Sequence, residues 1–464
     1  MNADQLRSLQ PALAGLLEEF RGCFKRESSF AHWERYLLGL MADLKRKSIE
    51  PIALAAGVAV RTLQEFLAFF VWDHERIGRQ LQRRVMDQHA GNAGAGNAAG
   101  ENAGAGNAAG GNRRGGIGVL DGSAHAKQGD KTPGVQRQWC GETGKIDNCI
   151  VAQHLLYTDN HPHNPFTCML ASDLYLPKSW AADRPRCQAA GIPDTLDYRP
   201  KWRIALEQVR AALGNGVRFD WLTFDEEYGS VPEFWFGLDF LGQRAVGEAR
   251  PNFLCWPRWP ACRSSQRAHA AKRIDNVAQH SPAFRNQDWQ RVQIKNTTRG
   301  PAVWEFKAAR VHLLDASESD SRPSEQSTAH SQPSERSRRV SQPTERLYWL
   351  IVARQPRSGE VKYFVSNAAL SVEPAELLKA GFARWHVEKW FERAKQEAGL
   401  GAFEVRTYTS LMRHWLCARI VMYFLAAQTQ RLRGEKSAHH ARTSGRSRQR
   451  PGVEDLSPLL AFMG

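Results

Sequence analysis

Residues 116–157 read GIGVLDGSAHAKQGDKTPGVQRQWCGETGKIDNCIVAQHLLY. Three runs in this stretch, GIGVLD (116–121), PGVQRQW (133–139) and IDNCIVAQHLLY (146–157), have the β-branched and aromatic content of strands. The intervening GSAHAKQGDKT and CGETGK are rich in turn formers. A helix is expected from about Trp202 to Leu213, and FDWLTFDEEYG (219–229) then reads as a buried strand ending in acids, followed by a short helix near Pro232. Three strands, a helix, a strand and a helix is the element order of a ribonuclease-H-like α/β domain.

Beyond Gly242 the pattern shifts to short strand-like pieces, AVGEA, VQIKN, AVWEF and LYWLIVA, rich in tryptophan and arginine. Between Arg263 and Arg310 there are ten Lys or Arg against three Asp or Glu, which makes this a β-rich insertion with a basic surface. Inside it SRPSE at 321, SQPSE at 331 and SQPTE at 341 repeat every ten residues, so 316–345 is expected as a disordered loop grown by duplication. LYWLIVA (347–353) and KYFVSNA (362–368) form an expected hairpin.

The next stretch is RWHVEKWFERAKQEAGLGAFEVR (384–406). On a helix Arg384, Glu388, Phe391 and Lys395 fall within a stripe roughly 60° wide. Val387, Trp390, Ala394 and Ala398 form the neighbouring core stripe. Glu388 then sits at the edge of a buried face, where a carboxylate is costly unless a metal ion or an arginine meets it. A second helix is expected from about Thr409 to Leu432. The segment Arg431 to Arg450, with seven Lys or Arg against one Glu, reads as a disordered basic tail.

Upstream, residues 4 to about 86 are helical in pattern, and IALAAGVAVRTLQEFL (52–67) fits a helix-turn-helix. Ala53 and Ala56 are small where helices cross, Gly57 permits the turn, and Val58, Leu63 and Leu67 are core positions. Arg61, Thr62, Gln64 and Glu65 would face outward, where DNA could be read; a plain helical hairpin is the competing reading. NAGAGNAAGE (92–101) followed by NAGAGNAAGG (102–111) is a tandem duplication that buries nothing, so 90–112 is a flexible linker. The expected organisation is an N-terminal helical DNA-binding domain (1–88), a linker (89–114), a catalytic domain in two parts (115–241 and 353–430) around the insertion (242–352), and a basic tail (431–464).

With 464 residues and 42% hydrophobic content the chain can build two or three cores, and a net charge of +15 selects polyanions as partners. Nothing resembles a secretory leader or a membrane span, no lysine-rich amphipathic helix suggests a membrane surface, and the eight cysteines show no CxxC pair. A cytoplasmic, nucleoid-associated protein with reduced thiols is expected. Cys255 and Cys262 are weak metal candidates, and His154, His161 and His163 sit in a loop-like context that argues against a metal cluster.

Asp121 and Asp225 each close an expected strand. Carboxylates at strand ends, joined by one from a helix packed across the sheet, can hold a pair of divalent cations that activate a hydroxyl and stabilise the leaving oxygen of a phosphodiester. Hard oxygen ligands suit Mg²⁺ or Mn²⁺ rather than zinc. Singly, each acid reads more simply as a turn, a cap or an i, i+4 partner, and Glu226 and Glu227 compete with Asp225.

Three blocks carry a family resemblance: residues 120–149 around Asp121, LTFDEEYG around Asp225, and RWHVEKWFERAKQEAGL around Glu388. The chain resembles bacterial insertion-sequence transposases of the DDE superfamily, in the cut-and-paste group whose β-strand insertion precedes the glutamate. The last block is similar to that group's tyrosine-arginine-glutamate-lysine motif at Arg384, Glu388 and Lys395, while the tyrosine position is Gly381, with Phe382 beside it. The resemblance covers roughly residues 20–88, 115–310 and 346–427. It implies that Asp121, Asp225 and Glu388 bind two Mg²⁺ ions and that Arg384 and Lys395 contact phosphates at the transposon end. It also implies cleavage of double-stranded DNA at inverted repeats, strand transfer of the 3′-hydroxyl into target DNA, a homodimer where two ends are processed together, and no small-molecule cofactor.

Lys127, Lys131, Arg137 and Lys145 could line a DNA channel or be solvated strand edges. Trp256 and Trp259, in the insertion, could stack on a flipped base or belong to the core. A transposase-derived DNA-binding protein without activity and a ribonuclease-H-like nuclease are the alternatives. The first is opposed by the presence of all three acids, and the second leaves the helix-turn-helix unexplained.

Overall fold

The computed structural model describes residues 8–89, 116–161, 165–259, 270–297, 300–315 and 342–443. The expected linker repeat (90–112), His163, Cys262, residues 316–341 of the expected loop and the tail beyond Thr443 lie outside the described residues. The chain divides into two compact units, 1–220 with 385–464, and 221–384.

The first unit opens with helices α1 (Leu9–Glu18), α2 (Glu27–Met41), α3 (Ile49–Ala55), α4 (Val60–Ala68) and α5 (His74–His89). Their three-and-four spacing buries Leu9, Leu13, Leu16 and Leu17 on α1 and Trp33, Leu37 and Leu40 on α2. α2 and α3 cross closely at Gly39, where an added Cβ would come 2.3 Å from Ile52 Cγ2. Between α3 and α4, Gly57 adopts φ 64°, the left-handed conformation that the expected tight turn requires. Leu63, Phe66 and Leu67 of α4 are fully buried, while Val58 is only half-buried.

Strands β1 (Ile117–Ala126), β2 (Gln136–Cys140), β3 (Lys145–Thr158) and β4 (Thr167–Leu174) follow. β1 and β3 pair antiparallel without a break from Ile117↔Thr158 to Ala126↔Cys149, and β2 and β4 share the other edge of β3. Two expectations change here. β1 runs on past Asp121, so this aspartate is mid-strand, because the Ser123 hydroxyl finds His125 and His154 within the sheet instead of turning to solvent. TCMLASDL forms a fourth strand that its short polar residues concealed. After short helices α6 (Lys178–Ala181) and α7 (Arg184–Ala189), α8 (Lys201–Gly214) packs Ile204, Ala205, Val209 and Ala212 inward.

The second unit holds β5 (Trp221–Phe224), α9 (Glu226–Gly229), α10 (Pro232–Phe240), β6 (Ala245–Ala249), β7 (Leu254–Trp256), β8 (Lys272–Arg273), α11 (Ile274–His280), α12 (Pro282–Arg285), β9 (Gln290–Thr297), β10 (Gly300–Asp315), β11 (Gln342–Arg354), β12 (Val361–Ser366) and α13 (Pro374–Phe382). Its strands are ordered β5-β6-β12-β11-β10-β7-β8, with β9 also on β10. β5 and β6 are parallel and the other pairs antiparallel, so the sheet is mixed. The LYWLIVA and KYFVSNA pairing is the β11–β12 ladder. Residues 342–345, expected as loop, are the start of β11 and pair with the end of β10 at Leu314 and Asp315.

The first unit is completed by α14 (Trp385–Glu397) and α15 (Tyr408–Thr443). α15 continues beyond Leu432, where a disordered tail was expected, as far as Thr443. The architecture is mixed α/β with a large mixed sheet, consistent with a ribonuclease-H-like catalytic domain. Among the described residues no helix is long and apolar enough to cross a membrane.

Candidate functional site

Alternation along β1 puts Asp121, Ser123 and His125 on one face of the strand, and Asp121 stands opposite His154 on β3. A chain of polar side chains crosses this face. Ser123 Oγ lies 2.9 Å from His125 Nε2 and 2.8 Å from His154 Nε2, and His154 Nδ1 lies 3.0 Å from Ser172 Oγ on β4. Burial, reinforced by nearby cations, pushes the His154 imidazole down to about 3 and His125 well below the usual histidine range, so both are neutral. His154 is buried in the sheet, whereas His161 is exposed. Asp121 itself is half-buried, with Oδ1 accepting from the Gly122 amide at 2.8 Å.

α14 lies across this face. Val387, Trp390, Ala394 and Ala398 are buried, as their stripe requires. The Phe391 ring centroid is 5.3 Å from that of His154, and Lys395 Nζ is 3.4 Å from the Ala124 carbonyl and 3.7 Å from Glu142. The turn of α14 that carries Phe391 therefore covers the part of the sheet at His154, the residue paired with Asp121 across the β1–β3 ladder. Glu388 is exposed, not at the margin of the core, because Val387 and Trp390 take the contact on either side of it. Its place in the first turn suits the positive end of the helix dipole. Arg384 does not share this helix: α13 closes at Phe382, and the half-buried Arg384 belongs to the second unit.

In the second unit Asp225 directly follows β5 and caps α9, its Oδ1 accepting from the Glu227 amide at 3.0 Å. α9 packs tightly on β6, since a Cβ at Gly229 would come 2.0 Å from the Glu248 carbonyl oxygen. Gly381 is similarly confined. Its carbonyl accepts from Thr223 Oγ1 at 3.1 Å, and an added Cβ would meet the Phe364 ring at 3.1 Å. The motif's tyrosine position is thus a place where β12 and β6 leave no room for a ring. Trp256 is buried on β7 with 3% exposure, so its ring has no open face for a base; Trp259 is 54% exposed and sits edge-on to His312. Among the described residues no three His, Cys, Asp or Glu form a group that could hold a metal ion. As donors, the carboxylates of Asp121, Asp225 and Glu388 have the hard-oxygen chemistry that suits Mg²⁺ or Mn²⁺.

A groove of about 1460 Å³ runs along the first unit from α4 to α14. Eight cations line it, Lys45, Arg46, Lys47, Arg61, Lys127, Lys131, Lys395 and Arg406, against the carboxylates Glu65, Asp130 and Glu404. Gln64 faces it too, whereas Thr62 is half-buried outside the lining, and Arg137, exposed on β2, is also not part of it. The cations are of two kinds. Lys127 is turned inward: Nζ donates to the carbonyls of Gly401 at 2.9 Å and Phe403 at 2.8 Å and lies 3.6 Å from the Phe403 ring centroid, and burial pushes its pKa down to about 8. Lys47 likewise donates to the carbonyls of Leu40 and Glu397, at 2.8 and 2.7 Å. Lys131 was a channel candidate from the sequence, whereas Lys45, Arg46 and Arg406 were not, although the basic triplet at 45–47 immediately before α3 is a visible signal.

α4 is also held from behind. Arg413 on α15 donates to the carbonyls of Phe66, Leu67 and Trp72 at 3.3, 3.0 and 3.4 Å, and its guanidinium lies 4.5 Å from the Trp72 ring centroid. Arg61 on the outer face pairs with Glu65 at 2.8 Å.

A family model described as DDE superfamily endonuclease matches residues 19–100 and 107–301, more than half of the chain. The chain is also similar to a protein of Microchaete diplosiphon named as a probable transposase for insertion sequence element IS701, with 27% identity over 235 residues. That alignment takes in 50% of this chain and 52% of the relative, so the chain spans about half the length of the protein it matches.

Proposed function

The chain belongs to the DDE superfamily endonuclease family, and from that membership we propose that it is a DNA transposase that cuts the ends of an insertion sequence and joins the freed 3′-hydroxyl to target DNA. The observation that carries this reading is the basic groove, which links the exposed face of α4 to the helix bearing Glu388 and Lys395. In this proposal Arg61 and Gln64 meet the duplex at the recognition end. Lys131, Lys395 and Arg406 follow its phosphates, and Arg384 is a further phosphate contact.

Asp121, Asp225 and Glu388 are the carboxylates assigned to hold two Mg²⁺ or Mn²⁺ ions. When bound, these ions would lower the pKa of the attacking hydroxyl and offset the charge on the leaving oxygen. The protein's own part is positional. The Gly122 and Glu227 amides fix one oxygen each of Asp121 and Asp225. Phe391 against His154 sets the height of the Glu388 turn over β1, and Lys395 supplies positive charge beside it. Lys127 positions residues 401–403 along the groove instead of meeting phosphate. Of the two tryptophans Trp256 and Trp259, the exposed Trp259 is the one with a face open to a base. A homodimer follows if both ends of an element are cut together.

Cleavage of duplexes carrying the element's terminal repeats, in Mg²⁺, tests the reading. Wild type should cut, and Asp121→Ala, Asp225→Ala and Glu388→Ala should each lose activity while still binding DNA. Equal cleavage by all four proteins would sink the assignment.

A further inference from the structure

The second unit contains a separate open cavity of about 810 Å³, lined by residues of β8, α11, α12 and the strands β10, β11 and β12. Four cations, Arg273, Arg285, Lys307 and Arg354, line it against one carboxylate, Asp275. Trp289 is the hub of the cluster. The Arg354 guanidinium lies 4.0 Å from its ring centroid and the Lys307 ammonium 5.0 Å. Both cations are held in place. Arg354 pairs with Glu305 at 2.8 Å, a carboxylate that also serves Arg291 at 3.1 Å, while Lys307 donates to the neutral carbonyl of Phe284 at 2.9 Å.

Gathering two like charges on one indole costs energy that a single shared carboxylate offsets only in part, and an incoming anion would remove that cost. The rigid anchoring means little side-chain entropy remains to be lost when that anion arrives. We infer that this cavity is a phosphate-binding site of the second unit, and that it takes the backbone of a DNA strand as a contact additional to the first unit's groove. Phosphate is the shared chemistry. The choice of a DNA strand over a small phosphate rests on the DNA reading proposed above.

The test is equilibrium binding of the full-length protein to a labelled duplex across a series of salt concentrations. Arg285→Ala and Lys307→Ala change the cavity, Lys307→Arg keeps its charge, and Lys131→Ala reports on the groove. Each lost phosphate contact should lower the log–log salt slope by about one and weaken binding roughly tenfold near 0.1 M salt. The expected result is that Arg285→Ala and Lys307→Ala both show this loss and that Lys307→Arg restores it. Arg285 is exposed, so its variant remains informative if Lys307→Ala proves unstable. Unchanged slopes in both cavity variants, with a reduced slope in Lys131→Ala, would overturn the inference and leave the DNA reading standing. Salt-independent binding by wild type would remove both. Inorganic phosphate and a deoxynucleoside monophosphate form a second arm: tighter binding of either than of the duplex, abolished by Arg285→Ala with Lys307→Ala, would reassign the cavity to a small phosphate and overturn the strand.

Discussion

Lys127 in the first unit and Arg354 in the second are both cations set against an aromatic ring, yet they are held by opposite kinds of partner. Lys127 has Phe403 at 3.6 Å and two backbone carbonyls, and its pKa is pushed down by burial. Arg354 has Trp289 at 4.0 Å and a carboxylate, Glu305, whose own pKa is held low by hydrogen bonds from Arg354 and Arg291. A lysine that gives two of its protons to carbonyls acts as a structural clamp, whereas an arginine held by one ring and a divided carboxylate, or a lysine such as Lys307 that donates to a single carbonyl, remains available to an anion. Counting positive charges therefore overstates the surface of the first unit that is open to an anion.

The contrast is most exposed to failure at Lys127. Replacing it by alanine should cost about 3 kcal/mol in chemical denaturation, because the Gly401 and Phe403 carbonyls lose their donor in a half-buried place. An unchanged midpoint would mean that Lys127 is a solvated channel residue after all.

A pH titration of stability probes the same end of the groove. His414 is buried between the Tyr36 hydroxyl at 2.8 Å and the Gly399 carbonyl at 3.0 Å, with the Phe403 ring beside it. Burial lowers its pKa to about 4, and the charge of Lys127 adds to that effect. The unfolded chain therefore binds more protons than the folded one between about 6.5 and 4. His414 should contribute about 2 to 3 kcal/mol to the fall in stability as pH drops through that window, with the buried His125 and His154 adding their own share. His414→Gln should flatten this slope; an identical slope in the variant would remove His414 as the cause.

Arg354→Ala should cost less, about 1 kcal/mol, since its side chain is partly exposed, but it should weaken DNA binding far more than Lys127→Ala does. The reverse ranking in an anisotropy assay would break the comparison. The smallest effect is expected at Gly381→Ala, below about 1 kcal/mol, as the Phe364 ring at 3.1 Å has to give by a few tenths of an ångström. A larger loss of melting temperature there would show that β12 cannot yield.

Strand runs such as GIGVLD and IDNCIVAQHLLY were legible because β-branched residues between turn formers leave few options. LYWLIVA and KYFVSNA were legible for the same reason. TCMLASDL was not, since Cys, Ser and Asp hide a strand whose polar side chains find partners such as His154 for Ser172 and Arg199 for Asp173 only in the folded chain. GSAHA misled in the same way, and Asp121 was placed at a strand end that lies five residues further on. The core face of α14 followed from spacing alone, whereas the break between Phe382 and Trp385, which removes Arg384 from the helix, depends on tertiary packing. The groove was out of reach because its walls come from residues 44–69, 126–132 and 395–410, and no periodicity connects segments so far apart.

The grip of Arg413 on the last carbonyls of α4 bears on any attempt to retarget such a protein by exchanging its N-terminal helices with those of a relative. Helix α4 is finished by a side chain contributed more than three hundred residues later. A chimera that transplants only the first helices would receive an α4 whose end no longer matches its cap, so a working graft has to carry residues 408–416 along with it.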